Sequence, residues 1–219
     1  MTRYNNLHLN THQSNIFKPD SIANYRQYAK RAKELGQEVL VAMEHCYSGN
    51  LFEAYTVAQE YGLKLLSGVD FNIRLSDGDY SLIMISKNNA GKTVINELIS
   101  LSSTQENILT VKDLLDNATE NVIITTSGIN SVLLSKYADE VIKALSDAYE
   151  VYIELQPHDT KMISEVNDLG LEWIDRGLQP ILGLDTHYVS EDDLADRDIF
   201  LKSAKEFYFE EEDSVLDFP

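Results

Sequence analysis

The chain has a single cysteine, Cys46, among 219 residues. No internal disulfide is possible, and a reducing compartment fits. Positive charge is scarce: 18 Lys and Arg face 36 Asp and Glu, for a net charge of −18. So acidic a surface repels phosphate backbones, which weakens the case for duplex DNA or RNA and suits cations or a basic partner. Long apolar runs are missing as well. No window approaches the ~20 apolar residues of a membrane span, and "MTRYNNLHLN" lacks a signal-peptide core. A cytoplasmic location with no membrane contact is therefore expected. There is no internal repeat, no low-complexity segment and no Gly-x-Ser-x-Gly nucleophile elbow.

What the chain has is a regular alternation. Short β-rich apolar runs lie at 7–10 ("LHLN"), 38–43 ("EVLVAM"), 63–68 ("LKLLSG"), 80–86 ("YSLIMIS"), 121–127 ("NVIITTS"), 150–156 ("EVYIELQ") and 179–185 ("QPILGLD"). Most are apolar throughout, as strands covered on both faces of a parallel sheet are. Helical patterns separate them at 20–36, 50–62, 90–103, 135–148, 160–177 and 190–204, the first with Asp20 or Ser21 as N-cap and Gly36 as stop. The expectation is one α/β domain over 1–204, a parallel sheet closed as a distorted seven-unit (β/α) barrel. An acidic and aromatic tail, "KEFYFEEEDSVLDFP", follows at 205–219.

Function in parallel α/β sheets gathers where strands end. All five histidines fall there or within the first run: His8 and His12 around Asn10, His45 after Glu44, His158 after "YIELQ", and His187 in "DTH" with Asp185. Asp70 follows "LLSG". One such histidine means little, but five at one edge, most with carboxylates beside them, form the donor set of zinc, manganese or iron. Metal-dependent hydrolysis is the expected chemistry. "SKNNAGKT" (86–93) imitates a phosphate-binding loop, but Ser86 stands where the pattern needs its first glycine. Cys46 beside His45 is weak as a nucleophile pair, since chain neighbours seldom form one.

Several blocks in order carry a family likeness: "RAKELG" (31–36), "EHCYSGNLFEAY" (44–55), "GLKLLSGVDF" (62–71), "LIMISKNNAG" (82–91), "YIELQPH" (152–158) and "DTHYVSEDDLADRDIFL" (185–201). The sequence resembles the PHP (polymerase and histidinol phosphatase) domain, most closely that at the N-terminus of the bacterial DNA polymerase III alpha subunit. The resemblance implies a (β/α) barrel holding metal at His12, Asp20, His45, Asp70, Asp185 and His187. Asp70 and Asp185 are also the candidate catalytic bases. Asn10 stands where a ligand histidine is expected, and Ser81 and Ile129 replace two ligands of a middle metal. One or two divalent ions rather than three are therefore implied. His8, Asn10, Glu44 and His158 become supporting or substituted positions. The implied function is a metal-dependent phosphoesterase, with 3′–5′ exonuclease action on single-stranded ends, beside polymerase domains or other replication proteins. The alternative is a catalytically inactive scaffold of a polymerase.

Overall fold

A computed structural model describes residues 4–16, 19–158 and 160–208 of the chain. Seven strands and seven α-helices are present among them: α1 (Tyr25–Glu34), β1 (Val39–His45), α2 (Leu51–Tyr61), β2 (Lys64–Leu75), β3 (Gly78–Ser86), α3 (Asn89–Ser103), β4 (Ile108–Thr110), α4 (Val111–Asp116), β5 (Val122–Thr125), α5 (Ala138–Ala148), β6 (Glu150–Leu155), α6 (Lys161–Asp175), β7 (Gln179–Leu182) and α7 (Leu194–Tyr208). Every strand except β2 is followed by a helix, so the β/α alternation holds.

The chain divides into two compact units. The first draws on the described residues up to Glu44, on Gly49–Leu65 and on those from Asp185; the second comprises His45–Ser48 and Leu66–Leu184. In the first, α1 packs on α2. Tyr25, Tyr28, Ala29 and Ala32 of α1, Leu40–Met43 of β1 and Ala54, Val57 and Ala58 of α2 are all buried. Helix α1 starts later than expected. Asn24 caps it in a reciprocal box with Gln27, because Asp20 and Ser21 are engaged elsewhere: both of their N–H groups donate to Asn15 Oδ1, at 2.8 and 3.0 Å.

The second unit carries a mixed sheet, which corrects the expected parallel barrel. Strand β2 pairs antiparallel with β3, and β3 antiparallel with β5. The pairs β5–β6, β6–β7 and β2–β4 are parallel. Two residues, Ser76 and Asp77, join β2 to β3, and a link that short can only return the chain antiparallel. The "LHLN" segment forms no strand; Leu9 makes one parallel bridge with Thr186. The core of this unit includes Phe71, Ile73, Leu82, Met84, Leu98, Ile124 and Ile153. Helices α3, α5 and α6 pack on the sheet.

The phosphate-loop imitation is resolved by packing. Asn88 caps α3 by accepting from the Gly91 N–H at 3.1 Å. A Cβ on Gly91 would lie 2.1 Å from the Asn121 carbonyl oxygen, so this glycine serves a close backbone approach. Helix α7 runs through position 204 to Tyr208, and the rest of the acidic tail lies outside the described residues. No helix of the described chain is long and apolar enough to cross a membrane.

Candidate active site

In the first unit the opening segment lies against the late Asp-x-His. The Asn10 N–H donates to Thr186 O at 2.9 Å, and the Thr186 N–H to His8 O at 3.3 Å. Alternation along this extended stretch puts His8 and Asn10 on one side. Both reach the same atom, Asp185 Oδ1: His8 Nε2 at 3.1 Å and Asn10 Nδ2, donating, at 3.0 Å. His187 Nε2 lies 3.5 Å from that oxygen. Asp185 has a φ of 40°, a left-handed conformation that costs about 1–3 kcal/mol and recurs at functional sites.

The other face of His187 meets Asp20. His187 Nδ1 and Asp20 Oδ2 are 2.9 Å apart, an ion-pair contact not aligned as a straight hydrogen bond. Arg197 of α7 holds the same aspartate, Nε donating to its main-chain oxygen at 2.9 Å and Nη2 lying 3.5 Å from Oδ1. Ser21 Oγ lies 2.8 Å from Asn10 O and 2.7 Å from His187 O, tying the segments together.

The electrostatics follow from this mutual enclosure. Burial pushes the Asp185 carboxyl up, but His8 and His187 overrule it and hold the group well below its ordinary 3.8. For His187 burial pushes down, yet Asp20 and Asp185 prevail and raise it from 6.5 to about 9.

His12 is exposed in a 3-10 turn, His12–Ile16. Its Nδ1 lies 3.2 Å from Ala23 O, which places the proton there and leaves Nε2 as the acceptor. Glu44 has its own set of partners. Fully buried, it accepts from the Thr11 N–H at 3.3 Å, from Thr11 Oγ1 and Ser14 Oγ at 2.5 Å each, and from the Tyr25 hydroxyl at 2.8 Å. Burial raises its pKa against those bonds.

In the second unit His45 Nδ1 lies 2.8 Å from Asp70 Oδ2. The Cys46 N–H donates to the main-chain oxygen of Asp70 at 2.8 Å. Asp70 Oδ1 is buried without a hydrogen-bond partner. Burial pushes the Cys46 thiol up, which makes it a poor nucleophile. His158 Nε2 lies 2.9 Å from Leu184 O, a backbone contact next to Asp185 in the chain. Ser81 faces Asn72 across the β2–β3 pair and bridges Ser131. Ile129 is half-buried, and its side chain has no donor atom to offer.

Two buried charges escaped the sequence reading. Arg197 sits in an acidic helical stretch and is 3% exposed. Glu154 in β6 accepts from Thr125 Oγ1 and Gln156 Nε2, each at 3.0 Å. Its signal was visible as the only acid inside the apolar run "VYIEL".

Among the described residues no three or more His, Cys, Asp or Glu side chains are arranged as a ready metal cage. The donor chemistry still fits a divalent ion. Asp70 keeps an orphaned buried oxygen, and His12 and His187 each have Nδ1 engaged so that Nε2 faces outward from its support, as metal-binding histidines do.

An α/β fold with imidazoles and carboxylates at strand ends defines the class, and the comparisons supply the family. Residues 7–168 match the PHP domain; the chain belongs to that family. No curated protein sequence matches it. Among solved structures it is similar to a proposed metal-dependent phosphoesterase from Bifidobacterium adolescentis, at 11% identity and a TM-score of 0.54, covering 89% of this chain and 95% of that one. An amidohydrolase from Chromobacterium violaceum with bound sulfate and no metal gives 14% and 0.55, covering 85% and 88%. A two-domain protein from Bacteroides vulgatus containing a predicted PHP-like metal-dependent phosphoesterase gives 11% and 0.52, covering 88% of this chain and 54% of that one. At such identities these likenesses establish the fold alone.

Proposed function

We propose that this chain is a PHP-type phosphoesterase that uses one or two divalent ions, zinc, manganese or iron. The observation that carries the reading is His187, gripped through Nδ1 by Asp20 so that Nε2 turns toward Asp185. His12, Asp185 and His187 would hold an ion in the first unit, and His45 with Asp70 are the donors in the second. When bound, the ion supplies water activation and neutralises charge developing on the phosphoryl oxygens. The chain's own contributions follow from its pKa shifts and contacts. Asp185 remains a carboxylate throughout the working pH range, so it acts as an anion and not as a proton donor. His8 and Asn10 orient it from one side. Asp70 presents Oδ1, the oxygen no protein group occupies, as a donor atom for the ion.

The sequence likeness to polymerase PHP domains supports, as the specific substrate, a 3′-ended single strand processed beside polymerase or other replication proteins. The test is elemental analysis of the purified protein together with hydrolysis of bis(4-nitrophenyl) phosphate and of a 3′-labelled oligonucleotide. About one or two ions per chain, with turnover abolished by Asp185→Ala and His45→Ala, supports the proposal. A folded protein that takes up no metal and hydrolyses neither substrate refutes it. That outcome would favour the inactive scaffold, which the absence of ligands at Ser81 and Ile129 already makes the second reading.

A further inference from the structure

The cation beside Asp20 is part of the protein. Arg197 is 3% exposed. Its Nε donates to Asp20 O at 2.9 Å, and Nη2 sits 3.5 Å from Oδ1, while Oδ2 faces His187 Nδ1 at 2.9 Å. Both carboxylate oxygens of Asp20 thus have a protein cation or imidazole against them. A guanidinium this deeply buried is tolerated only next to fixed anions, and helix α7 delivers it to one. Its ring contact, 6.0 Å from the Tyr188 centroid, adds a second fixed face. The sequence likeness made Asp20 a metal ligand; in the fold its partner is an arginine.

We propose that Arg197 replaces a metal ion at the Asp20 side of the group, so that Asp20 orients His187 and ligates nothing. This deepens the phosphoesterase reading and rests on it for the identity of the remaining ions. The physical reason is charge. Asp20 and Asp185 carry two negative charges into a buried group. With the arginine in place, Asp20 offers a divalent ion no uncompensated charge. With the arginine removed, Asp20 becomes a buried anion that attracts one.

The experiment counts ions instead of turnovers. Wild type, Arg197→Met, Arg197→Gln and Arg197→Lys are loaded with excess manganese, desalted and analysed for metal per chain, with folding checked by circular dichroism. The two neutral variants should bind about one more equivalent than wild type. The lysine variant should not, and Arg197→Met/Asp20→Asn should lose the extra ion. Equal content in wild type and in a folded neutral variant overturns the proposal. Asp20→Asn alone gives an independent reading if neither neutral variant folds: it should leave the wild-type count unchanged, and loss of an equivalent overturns the idea. The failures are distinguishable. A wild type without metal whose neutral variants gain one ion defeats the phosphoesterase reading but keeps this one. A metal-loaded, active wild type with unchanged variants does the reverse.

Discussion

The strongest electrostatic consequence of the structure is a loss of stability in mild alkali, and it is traceable to His187. Its folded pKa is raised from 6.5 to about 9 by Asp20 and Asp185 against the opposing effect of burial. A raised pKa means the fold binds the imidazolium more tightly than the unfolded chain does. The stabilisation is present in full below pH 6.5 and disappears as the pH rises through 9. Each pH unit between the two values is worth 1.36 kcal/mol, so the whole effect is on the order of 3 kcal/mol. The ring is buried, so no large discount for solvent screening applies. The same contacts depress Asp185, whose contribution holds above its ordinary 3.8 and is lost as the pH falls below it; that window does not overlap the first. Urea unfolding of chelator-treated protein, followed by circular dichroism at pH 6, 7.5 and 9.5, measures it. Wild type should lose about 3 kcal/mol across the range. His187→Gln should start lower, lose much less, and converge on wild type at the alkaline end. Parallel slopes for the two proteins would refute the assignment.

Three further outcomes are expected. Glu44→Ala strands the hydrogen-bonding groups of Thr11, Ser14 and Tyr25 in a buried place and should cost about 3–5 kcal/mol in urea unfolding, since bonds to a carboxylate run about 1.5–3 kcal/mol each and only part is recovered by relaxation. Gly49→Ala should destabilise by about 2 kcal/mol or more, because φ is 60° and the added Cβ would lie 2.7 Å from the Tyr25 hydroxyl and 2.8 Å from Glu44 Cγ. Metal uptake near neutral pH should release a proton from His187; calorimetry in buffers of different ionisation enthalpy reads it, and apparent affinity should weaken as the pH is lowered.

Much of this was legible in the sequence because the signals were local. The apolar runs at β1, β3, β5 and β6 and their following helices are short-range patterns, and packing had no reason to override them. The direction of β2 was missed although its signal was present. "VDFNIRLSDGDY" alternates and carries Asp-Gly, a hairpin cue, but a run read as ending at Gly68 hid it. Strand β4 and helix α4 were missed because three residues of strand leave almost no period to detect. In the site, the side chains around Asp185 could be named from motifs, since an Asp-x-His and an alternating first segment both encode direction. Arg197 could not. Its partner Asp20 is 177 residues away, and nothing in "LADRDIFL" separates a buried arginine from a solvated one.

Charge bookkeeping in the first unit explains why Asn10 is tolerated there. An amide binds metals poorly, but its Nδ2 donates to Asp185 Oδ1 whether or not an ion is present. With Asp20 and Asp185 anionic and His187 and Arg197 cationic, these four side chains sum to neutrality without any ion. The His45–Asp70 pair in the second unit is different, because Asp70 Oδ1 is buried with no donor against it. A buried carboxylate oxygen left unpaired is disfavoured by about 1–3 kcal/mol or more, and a bound cation is the simplest way to satisfy it. Metal content should therefore respond more to Asp70→Asn than to Asp20→Asn. A protein that keeps all its metal after Asp70→Asn would show that this oxygen is orphaned for some other reason.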